Sequence, residues 1–431
     1  MCLVVAALAS IALLVGLISN NPLFWQPGAV ILAVSLTIGI GAVESLKSYQ
    51  YTAWIITAVV AGMIYPNAFL KWGNIDLRNK WLILFVVQLV MFGMGIQMSM
   101  KDFKGLASTG KGVVIGLLCH FSIMPLMGLL LTRVFHFETE IAAGIILIGS
   151  CSSGLASNVM VYIARANLVL SVAVTAMATL IAPFMTPLLM KLLAGTLIEI
   201  KFVHMMLEII KIVIVPIGAA FVHDYLKTAS PKGEKRVKLT AIICMVWLLL
   251  LPFGLWKNLA EVLSEEAMSS IEILSFFAGA LLVGLIYHIA TLKFTKLDSV
   301  MPYFSMFGIV YFTTVTTAAG RDNLLQVGFM LFLASVIHNG AGYFFGYLLS
   351  RWFGMDKKSA RTVAFEVGLQ NGGMASGIAG SMGKLGTVGL ASAVFSPWMN
   401  ISGSILANYW RRQALKEEKV EEQEKLNQKI V

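Results

Sequence analysis

The chain has 431 residues, of which 58% are hydrophobic and only 13% are charged. Soluble globular proteins carry about 25% charged residues, so this composition and a mean hydropathy of +0.83 exclude that class and indicate a polytopic membrane protein. The formal net charge is +10, but the basic residues lie in short loops between apolar runs, which gives no support to nucleic acid as a partner.

Apolar runs of about 17–25 residues, the length that crosses a bilayer core, recur along the whole chain. The first run begins at the N-terminus without a basic leader, which predicts a spanning segment rather than a cleaved signal peptide. The sequence predicts fourteen spans, at residues 3–19, 28–44, 51–65, 81–100, 111–133, 140–165, 168–194, 204–224, 238–256, 272–291, 300–319, 326–350, 358–383 and 387–409.

The distribution of Lys and Arg predicts the orientation. With a cytoplasmic N-terminus, 22 of the 32 Lys and Arg residues fall on the cytoplasmic side and nine on the other, while Lys211 lies within a span. Cytoplasmic loops are enriched in these residues, so we expect a multi-pass protein of the cell (inner) membrane with both termini in the cytoplasm. The cytoplasmic set comprises Lys47, Lys101, Lys104, Lys111, Arg165, Lys227, Lys232, Lys235, Arg236, Lys238, Lys293, Lys296, Arg351, Lys357, Lys358, Arg361 and the charged tail 411–431.

Two spans, 144–164 and 361–383, contain Gly, Ser and Asn clusters in their middle. Irregular backbone at membrane depth is tolerated only where it is buried in protein or lines a wet cavity. Asn158 lies about 47 residues after the start of the span that precedes it, and Asn371 about 45 residues after the corresponding start. Interrupted segments at matching positions of two halves indicate a transporter binding site. Small residues that merely allow close helix packing are the alternative interpretation.

This match divides the chain into two repeats of five spans. The first repeat covers 51–194, and the second is assembled from 204–224 and 300–409. Because each repeat has an odd number of spans and the loops are short, the two repeats are predicted to run in opposite senses across the membrane.

Glu366 is a lone carboxylate in the second interrupted span, where burial costs roughly 2.5 kcal/mol or more. Gln370 is four residues further on and is predicted to share its helix face. Ser171 and Thr175 have the same spacing in another span. Together with Ser157 and Asn158 at the first break, these are hard oxygen ligands that suit a small cation. A structural Glu that accepts hydrogen bonds from Ser or Asn is the alternative.

Catalytic and transition-metal chemistry find little support. The sequence has no HExxH motif, no paired intramembrane Asp and no phosphate-binding loop. Its four cysteines are isolated, without the spacing of a zinc site. His120 is interpreted as a packed residue, Lys211 and Glu208 as an interface pair, and His338 and Asn339 as structural residues. Gly340 and Gly342 beside them are expected to allow close helix approach. We therefore do not expect an enzyme.

Four stretches carry a family resemblance: MFGMGIQMSMKDF (91–103), ASNVMVYIARANLVLSVAVTAMATLIAPFMTPLL (156–189), EVGLQNGGMA (366–375) and NISGSILANYW (400–410). They resemble the bile acid:sodium symporter family over about 51–224 and 298–410. The resemblance implies an all-α polytopic fold of two inverted five-helix repeats. It also implies a panel domain, and a core domain whose broken helices cross near the midplane.

The implied organisation has about four extra spans. The predicted units are an N-terminal pair (1–50), the first repeat (51–194), the first helix of the second repeat (195–224), an inserted pair (225–297), the remainder of the second repeat (298–410) and a cytoplasmic tail (411–431).

The resemblance also implies two sodium sites that share Glu366. The first would use Ser157, Asn158, Ser171, Thr175 and Glu366; the second would use Glu366, the Val367 and Leu369 carbonyls and Gln370. The family has a Gln where this chain has His120, so His120 is a candidate ligand of the second ion, and proton coupling at that position is conceivable. Leu155, Asn371 and Gly372 are expected beside the substrate.

We therefore predict a sodium-coupled symporter of a small organic anion that works by alternating access, with one or two Na⁺ ions and no organic cofactor. Its expected partners are that anion and the lipid bilayer; the sequence indicates neither a protein partner nor nucleic acid. A proton-coupled or uncoupled anion permease is one alternative, and a non-transporting membrane sensor on the same fold is another.

Overall fold

A computed structural model describes residues 2–43, 46, 49–99 and 106–430. Lys47, Lys101 and Lys104, on which part of the predicted orientation rests, lie outside the described residues. The described helices are α1 (Cys2–Ile18), α2 (Pro22–Ala42), α3 (Gln50–Ile64), α4 (Lys80–Ile96), α5 (Leu106–Phe135), α6 (Thr139–Ser150), α7 (Ala156–Ile163), α8 (Leu168–Leu193), α9 (Phe202–Ile209), α10 (Val215–Thr228), α11 (Pro231–Leu250), α12 (Trp256–Val262), α13 (Glu265–Lys293), α14 (Leu297–Ala319), α15 (Arg321–Trp352), α16 (Lys357–Gly368), α17 (Gly372–Ser381) and α18 (Leu390–Ile430).

The helices follow the predicted segments in order. Ten predicted spans each match one helix, and four match pairs: α6–α7, α9–α10, α11–α12 and α16–α17. Seven continuous helical stretches of the described residues are long and apolar enough to cross a membrane, and shorter apolar helices accompany them. The chain is thus an all-α polytopic membrane protein, as predicted, while the total of fourteen spans stays a prediction.

Two of the helix pairs are joined by π-helical turns, Ile210–Ile214 between α9 and α10 and Leu251–Leu255 between α11 and α12. The second turn is kinked, with φ of +98° at Gly254. Pro252 and Gly254 explain this kink, because proline removes a backbone donor and glycine adopts positive φ without strain.

One loop contains a small hairpin. A 3₁₀ turn (Pro66–Phe69) precedes β1 (Lys71–Trp72) and β2 (Ile75–Asp76), which pair antiparallel. Gly73, at the tip, has φ of +58°.

Side-chain caps fix where several helices begin. A helix leaves its first N–H groups without intrahelical partners, and Asn, Asp or Ser at the N-cap accepts from one of them. The capping residues are Asn21 (α2), Asn79 (α4), Asn167 (α8), Ser230 (α11), Ser264 (α13), Asp356 (α16) and Asn371 (α17).

The helices pack in two groups. In the first, α3 packs against α14, α14 against α4, and α4 against α10. In the second, α5 packs against α15, and these two long helices contact α6, α8, α16 and α18. α17 bridges the groups through α4. α6 and α16 are buried along almost their whole length, so the interrupted spans lie at the centre of the second group.

The remaining helices lie at the edge of these groups. α1 packs against α2 and α2 against α3, whereas α11 packs against α13 and α13 against α10. The predicted pair Lys211 and Glu208 forms a buried salt bridge (2.6 Å), and Glu272 of α13 makes a second contact with Lys211 (3.0 Å). The sequence interpretation missed this third member.

The far end of α13 is also held by charged groups. Tyr287 of α13 donates a hydrogen bond to Asp298 of α14 (2.9 Å). Lys227 and His223 of α10 contact the same carboxylate at 2.8 Å and 3.3 Å. α10, α13 and α14 are therefore joined around Asp298.

Candidate functional site

Both interrupted spans break at their Gly, Ser and Asn clusters. α6 ends at Ser150 and α7 begins at Ala156, while α16 ends at Gly368 and α17 begins at Gly372. Each span therefore consists of two half-helices joined by a short irregular segment. The prediction of two matched breaks is confirmed in position.

The two breaks are hydrogen-bonded to each other. Ser153 and Gln370 form an isolated antiparallel bridge. The Gly154 N–H donates to the Leu369 carbonyl (3.1 Å), and the Asn371 N–H donates to the Ser152 carbonyl (2.8 Å). Backbone groups that the breaks release are thereby satisfied within the protein, as membrane depth requires.

Glu366 lies beside this crossing and is completely buried. Its carboxylate accepts hydrogen bonds from the hydroxyls of Ser153 (2.5 Å), Ser171 (2.5 Å) and Thr175 (2.8 Å). The Ser171 hydroxyl also lies 2.7 Å from Asn158 Oδ1. These side chains come from both breaks and from α8, so the fold assembles an oxygen cluster from distant parts of the chain.

Ser157 completes the predicted set. Its hydroxyl donates to the Gly154 carbonyl (2.8 Å) and lies 3.4 Å from Thr175 Oγ1. The four other residues predicted for the first sodium site thus lie around Glu366. Ser153 is a further member that the prediction left out.

The cluster has no countercharge of its own. Among the described residues, no Lys or Arg lies within salt-bridge distance of Glu366. Hydroxyl groups stabilise a carboxylate by donating to it, but they add no positive charge, and a buried unpaired charge is strongly unfavourable. Because each hydroxyl can also turn a lone pair towards a cation, a small cation or a proton on Glu366 would complete the site.

The groups predicted for the second ion lie at the end of α16 and in the break that follows it. The Gln370 side chain donates from Nε2 to the Val367 carbonyl (2.7 Å), and its Oε1 is buried without a hydrogen-bond partner. The Leu369 carbonyl accepts from Gly154. The spacing of Glu366 and Gln370 predicted that they share one helix face. This prediction is wrong, because α16 ends at Gly368 and Gln370 lies in the break. A buried amide oxygen without a donor suits a cation.

His120 lies between the C-terminal ends of two half-helices. Its Nδ1 is 2.9 Å from the Glu366 carbonyl of α16, and its Nε2 is 2.8 Å from the Cys151 carbonyl that follows α6. Both ring nitrogens therefore face backbone acceptors, and an ion could gain a nitrogen only by displacing one of them. Ligation of an ion by His120 stays a prediction.

α15 supports the end of α16. Asn339 Nδ2 donates to the Gly368 carbonyl (2.8 Å), and His338 Nε2 lies 2.8 Å from the Met124 carbonyl. A Cβ at Gly342 would lie 2.8 Å from the Gly368 Cα, so glycine is needed for this approach, whereas a Cβ at Gly340 would meet nothing within 4 Å. The expectation of close packing therefore holds for Gly342 but not for Gly340.

The residues predicted to contact substrate lie at the starts of α7 and α17. Leu155 precedes α7 and is half-buried. Asn371 caps α17 by accepting from the Met374 N–H (2.9 Å). A Cβ at Gly372 would lie 2.1 Å from Ser396 Oγ, so this glycine packs tightly against α18. Their contact with a substrate stays a prediction.

We expect Gly154→Ala to disrupt the crossing. The added Cβ would lie 2.9 Å from the Gln370 carbonyl oxygen, which is backbone and cannot rotate away. Overpacking of this kind typically costs about 1–3 kcal/mol. Thermal unfolding of the purified variant should show a lower midpoint, while Gly340→Ala, which meets open space, serves as the matched control. Equal midpoints for the two variants would contradict the close backbone approach.

Comparison with known proteins places this geometry in context. The family model described as the Sodium Bile acid symporter family matches residues 84–262. The uncharacterized sodium-dependent transporter YocS of Bacillus subtilis (strain 168) is 31% identical over 377 residues, which cover 87% of this chain and 95% of that protein. The chain belongs to the sodium bile acid symporter family.

More distant members extend the similarity to eukaryotes. The probable sodium/metabolite cotransporter BASS1, chloroplastic, of Arabidopsis thaliana is 28% identical over 86% of this chain and 75% of its own length. The ileal sodium/bile acid cotransporter of Homo sapiens is 27% identical over 67% of this chain and 66% of its own length. Family and relatives are transporters rather than enzymes, as the sequence predicts.

Proposed function

We propose that this protein is a sodium-coupled symporter of a small organic anion that works by alternating access. The observation that carries the proposal is the buried Glu366 carboxylate, which is surrounded by hydroxyls and has no Lys or Arg within salt-bridge distance in the part of the chain that the structure describes. A transported sodium ion would supply the missing charge. The relatives described as sodium-dependent transporters support this choice of ion.

Sodium is favoured over a soft metal by the donor chemistry. The cluster offers carboxylate, hydroxyl and amide oxygens, which suit a hard cation, whereas copper or zinc prefer sulfur and nitrogen. The unpartnered Gln370 Oε1 supports a second cation site at the break between α16 and α17. If transport were coupled to a proton instead, Glu366 would carry that proton. Uptake under a sodium gradient compared with uptake under a proton gradient distinguishes the two.

An anionic substrate is favoured by the half-helix ends. α7 and α17 each begin directly after one of the two hydrogen-bonded breaks, and the N-terminus of a helix presents free N–H groups and a partial positive charge. A carboxylate held there, beside Leu155, Asn371 and Gly372, would lie close to the proposed sodium site. Binding of sodium would therefore stabilise the crossing for the anion, and binding of the anion would stabilise it for sodium.

Alternating access is supported by the packing. α3 lies against α14 as α10 lies against α4, and α5 lies against α8 as α15 lies against α18. This correspondence favours two inverted repeats, with α3, α4, α10 and α14 as a panel and the group around α5 and α15 as a core. We infer that the core moves against the panel and exposes the site to each side in turn.

Uptake into proteoliposomes tests the proposal directly. A panel of labelled carboxylates is offered under an inward sodium gradient, under an inward proton gradient with potassium, and with neither. Sodium should raise the initial rate for at least one substrate by about tenfold or more, within the usual range of coupling between two sites. A proton requirement in its place indicates the permease alternative. Absence of uptake, with no thermal stabilisation by sodium, indicates a sensor.

We further infer that the protein lies in the inner membrane with both termini in the cytoplasm. Single cysteines at Asn74, in the hairpin tip between β1 and β2, and at Lys232, before the basic run of α11, report the two sides. A membrane-impermeant maleimide applied to intact cells should label the first and spare the second. The opposite pattern would reverse the orientation.

A further inference from the structure

An open pocket of about 390 Å³ lies at the end of the molecule that the Lys and Arg bias predicts to be cytoplasmic. The described residues that line it come from α15, α16 and α18: Tyr347, Lys357, Arg361, Gln413, Lys416 and Glu417. Three of these side chains are cationic and one is anionic. The pocket therefore has an excess of two positive charges, and nothing in the proposed transport cycle uses it.

Arg361 forms the floor of this pocket and is only 3% exposed. Its guanidinium donates to Glu417 at 3.2 Å and 3.4 Å and to Gln413 Oε1 at 3.3 Å, while its Nε is buried without a partner. Charge-assisted hydrogen bonds are usually about 2.7–2.9 Å long. Glu417 is thus a loosely fitted anion that leaves part of the guanidinium unused.

We propose that this pocket binds a phosphate group, either the headgroup of an anionic phospholipid or a soluble phosphate compound, in exchange for the Glu417 carboxylate. A phosphate presents three or four acceptor oxygens, where a carboxylate presents two. It can therefore receive Arg361 in a fork and Lys357 and Lys416 as additional charges. Lys357 already lies 3.6 Å from Glu417, which occupies the position of the anion.

The surroundings suit the surface of a bilayer. Tyr347 lines the pocket and its ring contacts that of Trp410 (5.9 Å between centroids), which in turn contacts Phe365 (5.0 Å). Aromatic rings concentrate where hydrocarbon meets headgroups. Basic pockets between helices on the cytoplasmic side bind lipid headgroups of this charge.

An occupant of this pocket would act on the transport site through one helix. Arg361 and Glu366 both belong to α16, five residues apart, which is about 7.5 Å along the helix axis. The anion would replace the contact between Arg361 of α16 and Glu417 of α18. The mobility of α16 would then depend on whether phosphate or Glu417 fills the pocket.

Binding is measured as the shift of the thermal unfolding midpoint of the full chain in neutral detergent. Inorganic phosphate and, separately, short-chain phosphatidic acid are titrated at constant ionic strength, because salt screens such contacts. We expect saturable stabilisation of the wild type. The double variant Lys357→Gln with Lys416→Gln should raise the half-saturating concentration by about tenfold or more, since two charged contacts are lost. Glu417→Gln should lower the half-saturating concentration by about threefold or more, since the competing carboxylate is gone.

Lys232→Gln with Lys235→Gln, which removes two exposed lysines of α11, is the matched control and should bind like the wild type. Saturation by phosphatidic acid alone assigns the site to a lipid, and saturation by inorganic phosphate assigns it to a soluble ligand; either supports the pocket. Equal half-saturation in all four proteins, or no saturable stabilisation of the wild type, overturns the proposal. If Glu417 only holds α18 against α16, Glu417→Gln would lower the unfolding midpoint without changing the affinity for phosphate. That result also overturns the proposal.

Discussion

Replacing Glu366 by Gln is expected to abolish sodium-dependent uptake while leaving the protein folded in the membrane. The Gln side chain has the same shape and can still hydrogen-bond to Ser153 and Thr175, but it carries no charge. Leaving a buried charge without its partner typically costs about 3–5 kcal/mol, which corresponds to a loss of sodium affinity of about 10² to 4 × 10³-fold. Initial-rate uptake as a function of sodium concentration measures this loss.

Variants of two other predicted ligands, and of a carboxylate outside the crossing, serve as comparisons for Glu366→Gln. Ser171→Ala and Thr175→Val each remove one neutral oxygen, so each should weaken sodium dependence by less than Glu366→Gln. Glu208→Gln removes a buried carboxylate of α9 that pairs with Lys211 and is not part of the crossing, and it should retain the sodium dependence of uptake. Wild-type sodium dependence in Glu366→Gln would show that the residue is misassigned.

His120→Leu is expected to destabilise the protein, because a neutral imidazole donates from one ring nitrogen and the variant leaves one of the two buried carbonyls beside it, of Cys151 or Glu366, without that donor. An unsatisfied buried group costs about 1–3 kcal/mol. His120→Gln keeps an amide donor and should lose less. Thermal unfolding of the two variants beside the wild type provides the comparison.

Sodium dependence then separates packing from ligation at His120. If the ring only joins the two carbonyls, the sodium Hill coefficient of His120→Gln should equal that of the wild type. A higher coefficient in His120→Gln would indicate that the amide opens a second ion site that the imidazole closes. A wild-type unfolding midpoint in His120→Leu would contradict the bridging role altogether.

The sequence predicts the helices well and the atoms of the site only in part. Runs of apolar residues have the length of a bilayer, so the helical segments follow from composition. The breaks follow from Gly, Ser and Asn, which release the backbone. Ser153 was missed because nothing in a run of Ser and Gly tells which hydroxyl turns towards Glu366. Gln370 was placed on the wrong helix face because spacing does not reveal that α16 ends at Gly368.

Features that depend on partners from elsewhere were also missed. The π-helical turn at Ile210–Ile214 has no sequence signal of its own, and its Lys211 carbonyl accepts from the Gln88 side chain of α4 (3.0 Å). Glu272 was missed because its contact with Lys211 depends on how α13 packs against α10. Asn339 was correctly interpreted as structural, but its partner, the Gly368 carbonyl, lies 29 residues further along the chain.

The contacts at the two ends of α13 bear on whether the predicted insertion around α11–α13 could be gained or lost as a unit. Near one end Glu272 contacts Lys211, and near the other Tyr287 donates to Asp298, which Lys227 and His223 also contact. Excising residues 231–293 would leave Lys211 with one carboxylate and Asp298 without its tyrosine. The segment is therefore not a detachable module. Its gain or loss during evolution would require compensating changes in α10 and α14, and a shortened chain made in the laboratory would need the same repairs.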